Sequence, residues 1–341
     1  MKTVKDIYEF FLQYLDTGKN NNLMEFLNTV PEFTIKDENG VGKVDMSLGM
    51  EYYQICEKMV DDALLIKVGN PNPAMRLTNV YMSIHSVNAQ NPQAFLRNLD
   101  YGVYDFKYRG FTYTYSQFKD SMAAVVGTNQ KGDADIGTAY YIGDHQFATA
   151  AHCVTSMSKF NLLKPDNTPY KIKEVWFATD QDTDDYDLAI LVVDETPSCR
   201  AFWLGEPAVL DDVLVMGFPP IPGLNTVLTA ETASVATREK PLCKAVVGQH
   251  VGEANSYLSS MDYFLINARV KGGNSGGPVI NNEGRVIGTV VQIPFDNEGG
   301  FDGKRFDIMG FGICLPAKYL EGIIANPSIT EVYYVNNAYC I

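Results

Sequence analysis

The chain has 341 residues and a formal net charge of −14, from 27 basic and 41 acidic side chains. This balance excludes a nucleic-acid polymer as the default partner, because phosphate binding depends mainly on Lys and Arg. With 46% hydrophobic and 20% charged residues the composition is that of a globular protein, and the length predicts about two domains, since a single core usually stops growing at roughly 250 to 300 residues.

The remaining compositional features predict the setting. Charged residues interrupt the apolar N-terminal segment, which is not typical of a secretory signal, and no apolar run is long enough to span a membrane. The six cysteines are too sparse for a disulfide framework and lack CxxC spacing. We therefore predict a cytoplasmic protein with mostly free thiols, without a metal or cofactor and without membrane contact.

The first region is predicted to fold as helices followed by two strands. Apolar residues recur every three or four positions over residues 4–15 and again over 47–64, which is typical of amphipathic helices. Residues 64–68 and 77–84 have the composition of strands and are separated by a turn rich in Gly, Asn and Pro. Helices followed by a two-stranded ribbon resemble a winged-helix domain, which we place at residues 1–85.

In a DNA-binding winged helix, the second helix would enter the major groove. Here that helix carries four acidic side chains and one lysine, so insertion would bring like charges together. We therefore expect this domain to bind a protein partner or to regulate the rest of the chain, with nucleic acid as the disfavoured alternative. The acidic residues are Glu51, Glu57, Asp61 and Asp62, and the basic residue is Lys58.

The texture of the sequence changes after this domain. Residues 86–117 are interpreted as a polar and aromatic connector, partly extended because Tyr and Phe alternate with other residues. From residue 118 to 341, short apolar runs separated by Gly, Asn, Asp and Pro predict an all-β domain of the barrel or sandwich type. A helical pattern at 317–325 predicts a C-terminal helix.

Three segments of the β region contain, in chain order, the residue types of an activated serine nucleophile. They are Thr-Ala-Ala-His-Cys around His152, Tyr-Asp-Leu around Asp187, and Gly-Gly-Asn-Ser-Gly-Gly-Pro around Ser275. These motifs resemble those of the chymotrypsin-like (trypsin-fold) serine proteases, and the resemblance covers roughly residues 118–325. It implies an all-β double β-barrel for the domain at 118–341.

Each motif has a chemical reason. The pKa of imidazole lies near working pH, so His152 can take the proton of the Ser275 hydroxyl, which is otherwise a poor nucleophile. A carboxylate must fix the imidazole tautomer and stabilise the imidazolium, and the resemblance gives this role to Asp187. The glycines around the serine let the backbone turn so that two amides point at the developing oxyanion. By position these are the amides of Gly273 and Ser275.

The departures from the family pattern refine the resemblance. Asn274 stands where pancreatic-type members have an Asp that receives the new N-terminal amine, so that ion pair cannot form. The Gly-Asn-Ser-Gly sequence is closer to the high-temperature-requirement (Deg) proteases and the glutamyl endopeptidases. Only about sixteen residues follow residue 325, so no PDZ domain is expected. Cys153 lacks its usual partner cysteine, and regulation is expected to come from the N-terminal domain.

The cleavage specificity is less determined. The primary pocket is expected to be formed by residues 266–271 and 290–293, which gives Arg269, Val291 and Ile293 as its candidate residues. Arg269 occupies the position at which trypsin-like members carry the Asp that selects basic side chains, so cleavage after Lys or Arg is disfavoured. An acidic preference and a preference for small or medium apolar residues both stay open.

The sequence thus predicts a serine endopeptidase that hydrolyses peptide bonds through a Ser-His-Asp triad and an acyl-enzyme intermediate, with a regulatory or partner-binding N-terminal domain. Its partners would be a protein or peptide substrate and a regulatory protein. The alternative is a regulatory binding protein that contacts protein or DNA through the winged-helix-like region and uses the protease fold as a scaffold.

Overall fold

The computed structural model describes residues 1–12, 21–36, 42–84, 91–179, 186–220, 226–228, 235–237, 241–255, 261–292 and 311–341. The chain divides into two compact units, Met1–Gly110 and Phe111–Ile341. The helices of the described part are α1 (Val4–Leu12), α2 (Leu23–Leu27), α3 (Met46–Asp61), α4 (Pro92–Tyr101), α5 (Val103–Phe118), α6 (His152–Thr155) and α7 (Lys318–Ala325). Among them, none is both long and apolar enough to cross a membrane.

The first unit is an α+β structure with its own apolar core. The two predicted helices are present as α1 and α3, and the predicted pair of strands is present as β3 and β4, which pair antiparallel. Asp45 caps α3 by accepting hydrogen bonds from the Ser47 and Leu48 amides. The strands of this unit are β1 (Thr34–Lys36), β2 (Gly42–Val44), β3 (Leu65–Gly69) and β4 (Val80–Ser83).

The described part of the segment interpreted as a partly extended connector, residues 91–117, is mainly helical. Asn91 caps α4 by accepting from the Ala94 amide, and Gly102 ends the helix in the left-handed conformation with φ of 82°. Phe95 and Leu99 lie one turn apart and pack into the core of the first unit. The Tyr and Phe alternation therefore belongs to two helices, α4 and α5, with a non-helical residue at Gly110.

The second unit consists mainly of antiparallel strands in two large sheets. One sheet has nine strands in the order β19-β9-β10-β7-β6-β5-β8-β21-β20, and the other is a closed barrel in the order β11-β14-β15-β18-β17-β16. A small sheet pairs β12 with β13. The strands are β5 (Met122–Asn129), β6 (Ala134–Gly143), β7 (Gln146–Thr149), β8 (Met157–Leu163), β9 (Ile172–Ala178), β10 (Ala189–Val193), β11 (Asp212–Gly217), β12 (Thr226–Leu228), β13 (Val235–Thr237), β14 (Lys244–Asn255), β15 (Asp262–Ile266), β16 (Pro278–Ile280), β17 (Val286–Gln292), β18 (Gly312–Pro316), β19 (Pro327–Glu331), β20 (Tyr333–Val335) and β21 (Ala338–Cys340).

The predicted all-β domain with a C-terminal helix is confirmed. The short apolar runs of the sequence become buried strands, for example β10, all five of whose residues are buried. Helix α7 begins at Lys318, within the predicted stretch. The sequence did not predict the three strands after α7, of which β19 pairs with β9 and β21 pairs with β8. They extend the nine-stranded sheet.

Candidate active site

His152 and Asp187 lie at the same end of the nine-stranded sheet. Strand β7 ends at Thr149, three residues before His152, and strand β10 begins at Ala189, two residues after Asp187. The two strands pair antiparallel with Ala189 opposite Thr149. Because the end of one strand therefore adjoins the start of the other, the two side chains are brought together although 35 residues separate them.

The contact between these two residues has two parts. His152 Nδ1 lies 2.6 Å from Asp187 Oδ2, and the backbone N–H of His152 donates to Asp187 Oδ1 at 2.8 Å. Burial lowers the pKa of the His152 imidazole, but the hydrogen bond to Asp187, the contact with Cys153 and the carboxylate charge outweigh it. The pKa of His152 is therefore raised well above its ordinary value.

Ser275 lies in a tight turn before β16 that depends on glycine. Gly273 has φ of 87° and Gly276 has φ of 79°, both in the left-handed region that favours glycine. A Cβ on Gly276 would stand 2.2 Å from the Thr138 carbonyl oxygen and 2.3 Å from Thr149 Oγ1. The backbone at Gly276 thus approaches the strands that lead to His152 closely, and the Ser275 carbonyl accepts a 2.9 Å hydrogen bond from the Thr138 amide.

The amides that the sequence predicts as oxyanion donors are those of Gly273 and Ser275. Within the described residues, neither donates a hydrogen bond to a protein acceptor, whereas the Asn274 amide between them donates to the Lys271 carbonyl at 3.0 Å. Ser275 Oγ and His152 Nε2, which both belong to described residues, are not hydrogen-bonded to each other. Such bonds are often long in the absence of substrate and tighten when it binds.

Sequence reasoning missed Thr138, which connects the nucleophile turn to the first sheet. Its side chain is fully buried, and Thr138 Oγ1 donates to the Gly273 carbonyl at 2.6 Å and accepts from the Phe218 amide at 3.1 Å. Its backbone N–H also donates a hydrogen bond to the Ser275 carbonyl, so this threonine contacts the turn on both sides of Asn274. Its only signal in the sequence is a polar residue in an apolar strand, which does not reveal its partner 135 residues away.

Cys153 occupies the space between His152, Ser275 and a glycine of β6. Its Sγ lies 3.8 Å from His152 Nε2 and donates to the Ser275 carbonyl at 3.4 Å. A Cβ on Gly137 would stand 2.5 Å from this sulfur and 3.0 Å from the Cys153 Cβ. The Cys153 thiol therefore occupies the space that a side chain at position 137 would need.

A cysteine at position 137 is expected to form a disulfide with Cys153. The two Cβ atoms would stand 3.0 Å apart, about 0.8 Å closer than the disulfide mean of about 3.8 Å, so the two backbones have to shift apart slightly. Under oxidising conditions this disulfide should raise the free energy of unfolding of the Gly137→Cys variant by about 2 kcal/mol relative to the same variant in its reduced form. Urea unfolding with and without dithiothreitol measures the effect, and Gly137→Ser is the control that adds bulk without a bond. Equal destabilisation of both variants under oxidising conditions would refute the prediction.

The three residues predicted for a specificity pocket have different surroundings. Arg269 is exposed and lines a cavity of about 210 Å³ that is also lined by Lys244, Lys271 and Asn274; we call it the cationic cavity. Val291 is buried near the end of β17 and does not line this cavity. Ile293 lies outside the described residues. A role of these residues in cleavage specificity stays a prediction.

Comparison with known proteins supports the family resemblance. Residues 137–288 match the family described as trypsin-like peptidase domain. Over 176 residues, 48% of the chain, the sequence is 30% identical to Protease Do-like 2, chloroplastic, of Arabidopsis thaliana. Over 168 residues, also 48% of the chain, it is 29% identical to Serine protease Rv3671c of Mycobacterium tuberculosis.

These matches cover part of each protein. The alignments span 25% of the Arabidopsis relative and 38% of the mycobacterial one, so the chain spans well under two thirds of their lengths. Among solved structures, the active form of the Rv3671c protease from M. tuberculosis aligns with a TM-score of 0.47 and 22% identity, covering 64% of this chain and 85% of that one.

Proposed function

We propose that the protein is a serine endopeptidase acting on protein or peptide substrates, because residues 137–288 match the trypsin-like peptidase domain family and similar curated proteins are serine proteases. The observation that carries this proposal is the pairing of His152 with Asp187 at the sheet end next to the glycine-dependent turn of Ser275. We assign the triad to these three residues and the oxyanion site to the amides of Gly273 and Ser275.

The reaction would proceed in two stages, acylation of Ser275 and hydrolysis of the acyl-enzyme. Ser275 Oγ attacks the carbonyl carbon of the scissile peptide while its proton passes to His152 Nε2, and the carbonyl electron pair moves to the oxygen. The Gly273 and Ser275 amides donate to this oxyanion. Its collapse expels the amine, which takes the proton from His152, and water then hydrolyses the acyl-enzyme by the same sequence. Asp187 keeps the Nδ1 proton in place throughout.

Labelling with a fluorophosphonate tests this assignment. The folded full chain is expected to form one covalent adduct, which peptide mass spectrometry should place on Ser275. Ser275→Ala should abolish the adduct, and Ser158→Ala, which removes an exposed hydroxyl from β8, should leave the labelling rate unchanged. A folded chain that never labels would contradict the proposal and would favour a binding protein built on a protease fold.

We further propose that the first unit regulates the protease or recruits a partner, as a winged-helix-like domain could do. In support, Met1–Gly110 has its own apolar core, and the proposed triad lies wholly in the second unit. Fluorophosphonate labelling of the full chain and of residues 111–341 tests regulation within the chain, after circular dichroism has shown that the shorter form melts cooperatively. We expect the rates to differ at least threefold, and equal rates would contradict it.

We also propose a reducing compartment such as the cytoplasm. All six cysteines carry free thiols, and Cys56, Cys153 and Cys314 are buried. Acid trapping of cells followed by thiol mass-tagging should count six thiols per chain, and the loss of two or more would contradict this location.

A further inference from the structure

The cationic cavity lies beside the turn that carries the nucleophile. Three basic side chains line it, namely Lys244 at the start of β14, Arg269 and Lys271. Pro219 and Pro220, which follow β11, form another part of the lining, and Asn274 completes it next to Ser275. Every one of these residues belongs to the second unit.

The positive charge in this cavity has no counter-charge in the described part of the chain. None of the three cations lies within 4 Å of a described carboxylate, and Lys244 Nζ only reaches the Leu242 carbonyl at 3.5 Å. Arg269 and Lys271 are exposed, while Val270 between them packs into the barrel core. The alternation places both charged side chains in the cavity lining and leaves them able to bind an anion.

Asn274 provides a second observation that points to a ligand. The residue is only 4% exposed, yet its side-chain amide makes no hydrogen bond with any described residue. Buried polar side chains are nearly always hydrogen-bonded. An amide that lines a cavity with three cations can donate to a ligand oxygen together with them, and a carboxylate accepts all of these bonds.

We propose that the cationic cavity binds a carboxylate of an acidic peptide segment and that this binding holds the nucleophile turn in its active conformation. The proposal rests on the protease function proposed above. The ligand is an acidic side chain supplied by an effector peptide or protein, and it differs in charge from the amine that pancreatic-type proteases bind next to the corresponding residue.

Contacts across the turn explain how the ligand would act on the oxyanion site. Gly273 packs against the segment after β11, since a Cβ on it would stand 2.6 Å from the Phe218 carbonyl oxygen, 2.9 Å from Pro219 Cα and 3.0 Å from Pro220 Cδ. The Phe218 amide also donates to the Gly273 carbonyl at 3.3 Å. A ligand held by both prolines, Lys271 and Asn274 therefore touches the chain on each side of the Gly273 amide and restrains its direction.

The lining of the cavity favours an effector over the side chain of the residue being cut. Neither Ser275 nor His152 lines it, and neither does the end of β17, whose Val290 carbonyl accepts from the Gly276 amide beside the nucleophile. The side chain next to the scissile bond has to start within reach of Ser275 Oγ. The cavity instead adjoins the oxyanion turn from the side of β11 and β14.

Binding can be measured without catalysis. The probe is a fluorescein-labelled, end-capped peptide Gly-Gly-Glu-Gly-Gly, titrated by anisotropy against the full-length Ser275→Ala protein. We expect Arg269→Gln and Lys271→Gln each to weaken binding about tenfold, as the loss of one charge-assisted hydrogen bond predicts. Lys131→Gln, which removes an exposed lysine elsewhere, should bind as the parent does. The control peptide is Gly-Gly-Gln-Gly-Gly. The proposal would be overturned if this peptide bound as tightly as the Glu peptide, or if both cavity variants bound the Glu peptide as tightly as the parent does.

The effect on activity separates the two sources of the carboxylate. Unlabelled Glu peptide should raise the fluorophosphonate labelling rate of the wild-type chain at least threefold, and the Gln peptide should not. If the Glu peptide slows labelling and is cut next to Glu, the cavity is a substrate pocket and the effector role is wrong. If the chain never labels but Glu-specific binding through Arg269 and Lys271 persists, the protease function and the activating role fail, and the carboxylate site stands.

Discussion

Replacing Asp187 by asparagine is expected to lower kcat about 10⁴-fold while the protein stays folded. The asparagine can keep its oxygen opposite the His152 amide, where Asp187 Oδ1 accepts at 2.8 Å. Its amino group, however, would face His152 Nδ1 and force the hydrogen onto Nε2, which then cannot accept the serine proton. Steady-state hydrolysis of a peptide ester measures the loss. A reduction of less than tenfold would show that Asp187 does not orient the base.

The same variant should change the pH dependence in a defined direction. In the wild type the pKa of His152 is raised, and kcat/KM should rise with pH through that pKa, with a midpoint above the ordinary value of about 6.5. Asp187→Asn removes the hydrogen bond and the charge that raise it, so the midpoint should fall. If the midpoint of the kcat/KM profile were the same in both proteins, the rise of kcat/KM with pH would report the titration of a group other than His152.

Stability is linked to the same titration. A histidine whose folded pKa exceeds its unfolded value stabilises the folded state fully below the unfolded pKa, and this contribution is lost as pH rises through the folded pKa. The difference in free energy of unfolding between wild type and Asp187→Asn should therefore be largest below about pH 6.5. Urea titrations at several pH values test this sign.

Thr138→Val is expected to reduce kcat on the order of 10² to 10³-fold without touching any triad residue. The substitution keeps the shape but removes the hydroxyl that donates to the Gly273 carbonyl at 2.6 Å and accepts from the Phe218 amide at 3.1 Å. Both groups would be left without this partner beside the oxyanion turn, and loss of one oxyanion donor costs about this much in serine proteases. The matching readout is kcat, with KM changing little.

The conservative variant distinguishes positioning from simple destabilisation. Thr138→Ser keeps the hydroxyl and removes a methyl group, so it should recover most of kcat even though a buried methyl group is lost at a cost of about 1 kcal/mol. If Thr138→Ser and Thr138→Val lose activity in proportion to their loss of stability, Thr138 has only a packing role.

The sequence predicted the residues that would carry out the chemistry better than the residues that position them. His152, Asp187 and Ser275 stand in motifs whose residue types carry their own chemical reason, and the pairing of β7 with β10 brings the first two together. Thr138 and Gly137 carry no such signal. Each acts through a neighbour that is distant in sequence, and only the register of the strands determines which residues meet.

In the first region, the sequence predicted elements but misjudged one segment. The helices α1 and α3 follow from their apolar period, whereas the alternation of Tyr and Phe in residues 86–117 predicts a partly extended connector. Local caps decided the outcome, since Asn91 begins α4 and Gly102 ends it. Aromatic residues favour strands only weakly, and packing of Phe95 and Leu99 in the core overrides that preference.

The pairing of the nine-stranded sheet also sets an order of events during protein synthesis. Strand β9 lies between β10 and β19, and β8 lies between β5 and β21, so residues 327–340 supply neighbours for strands that precede them by about 150 residues or more. The nucleophile turn precedes these three strands in the chain and is therefore translated before them. We therefore expect the sheet that holds the His152–Asp187 pair to be completed only after residues 327–340 have been translated, a timing that would delay proteolysis beyond translation of the nucleophile turn.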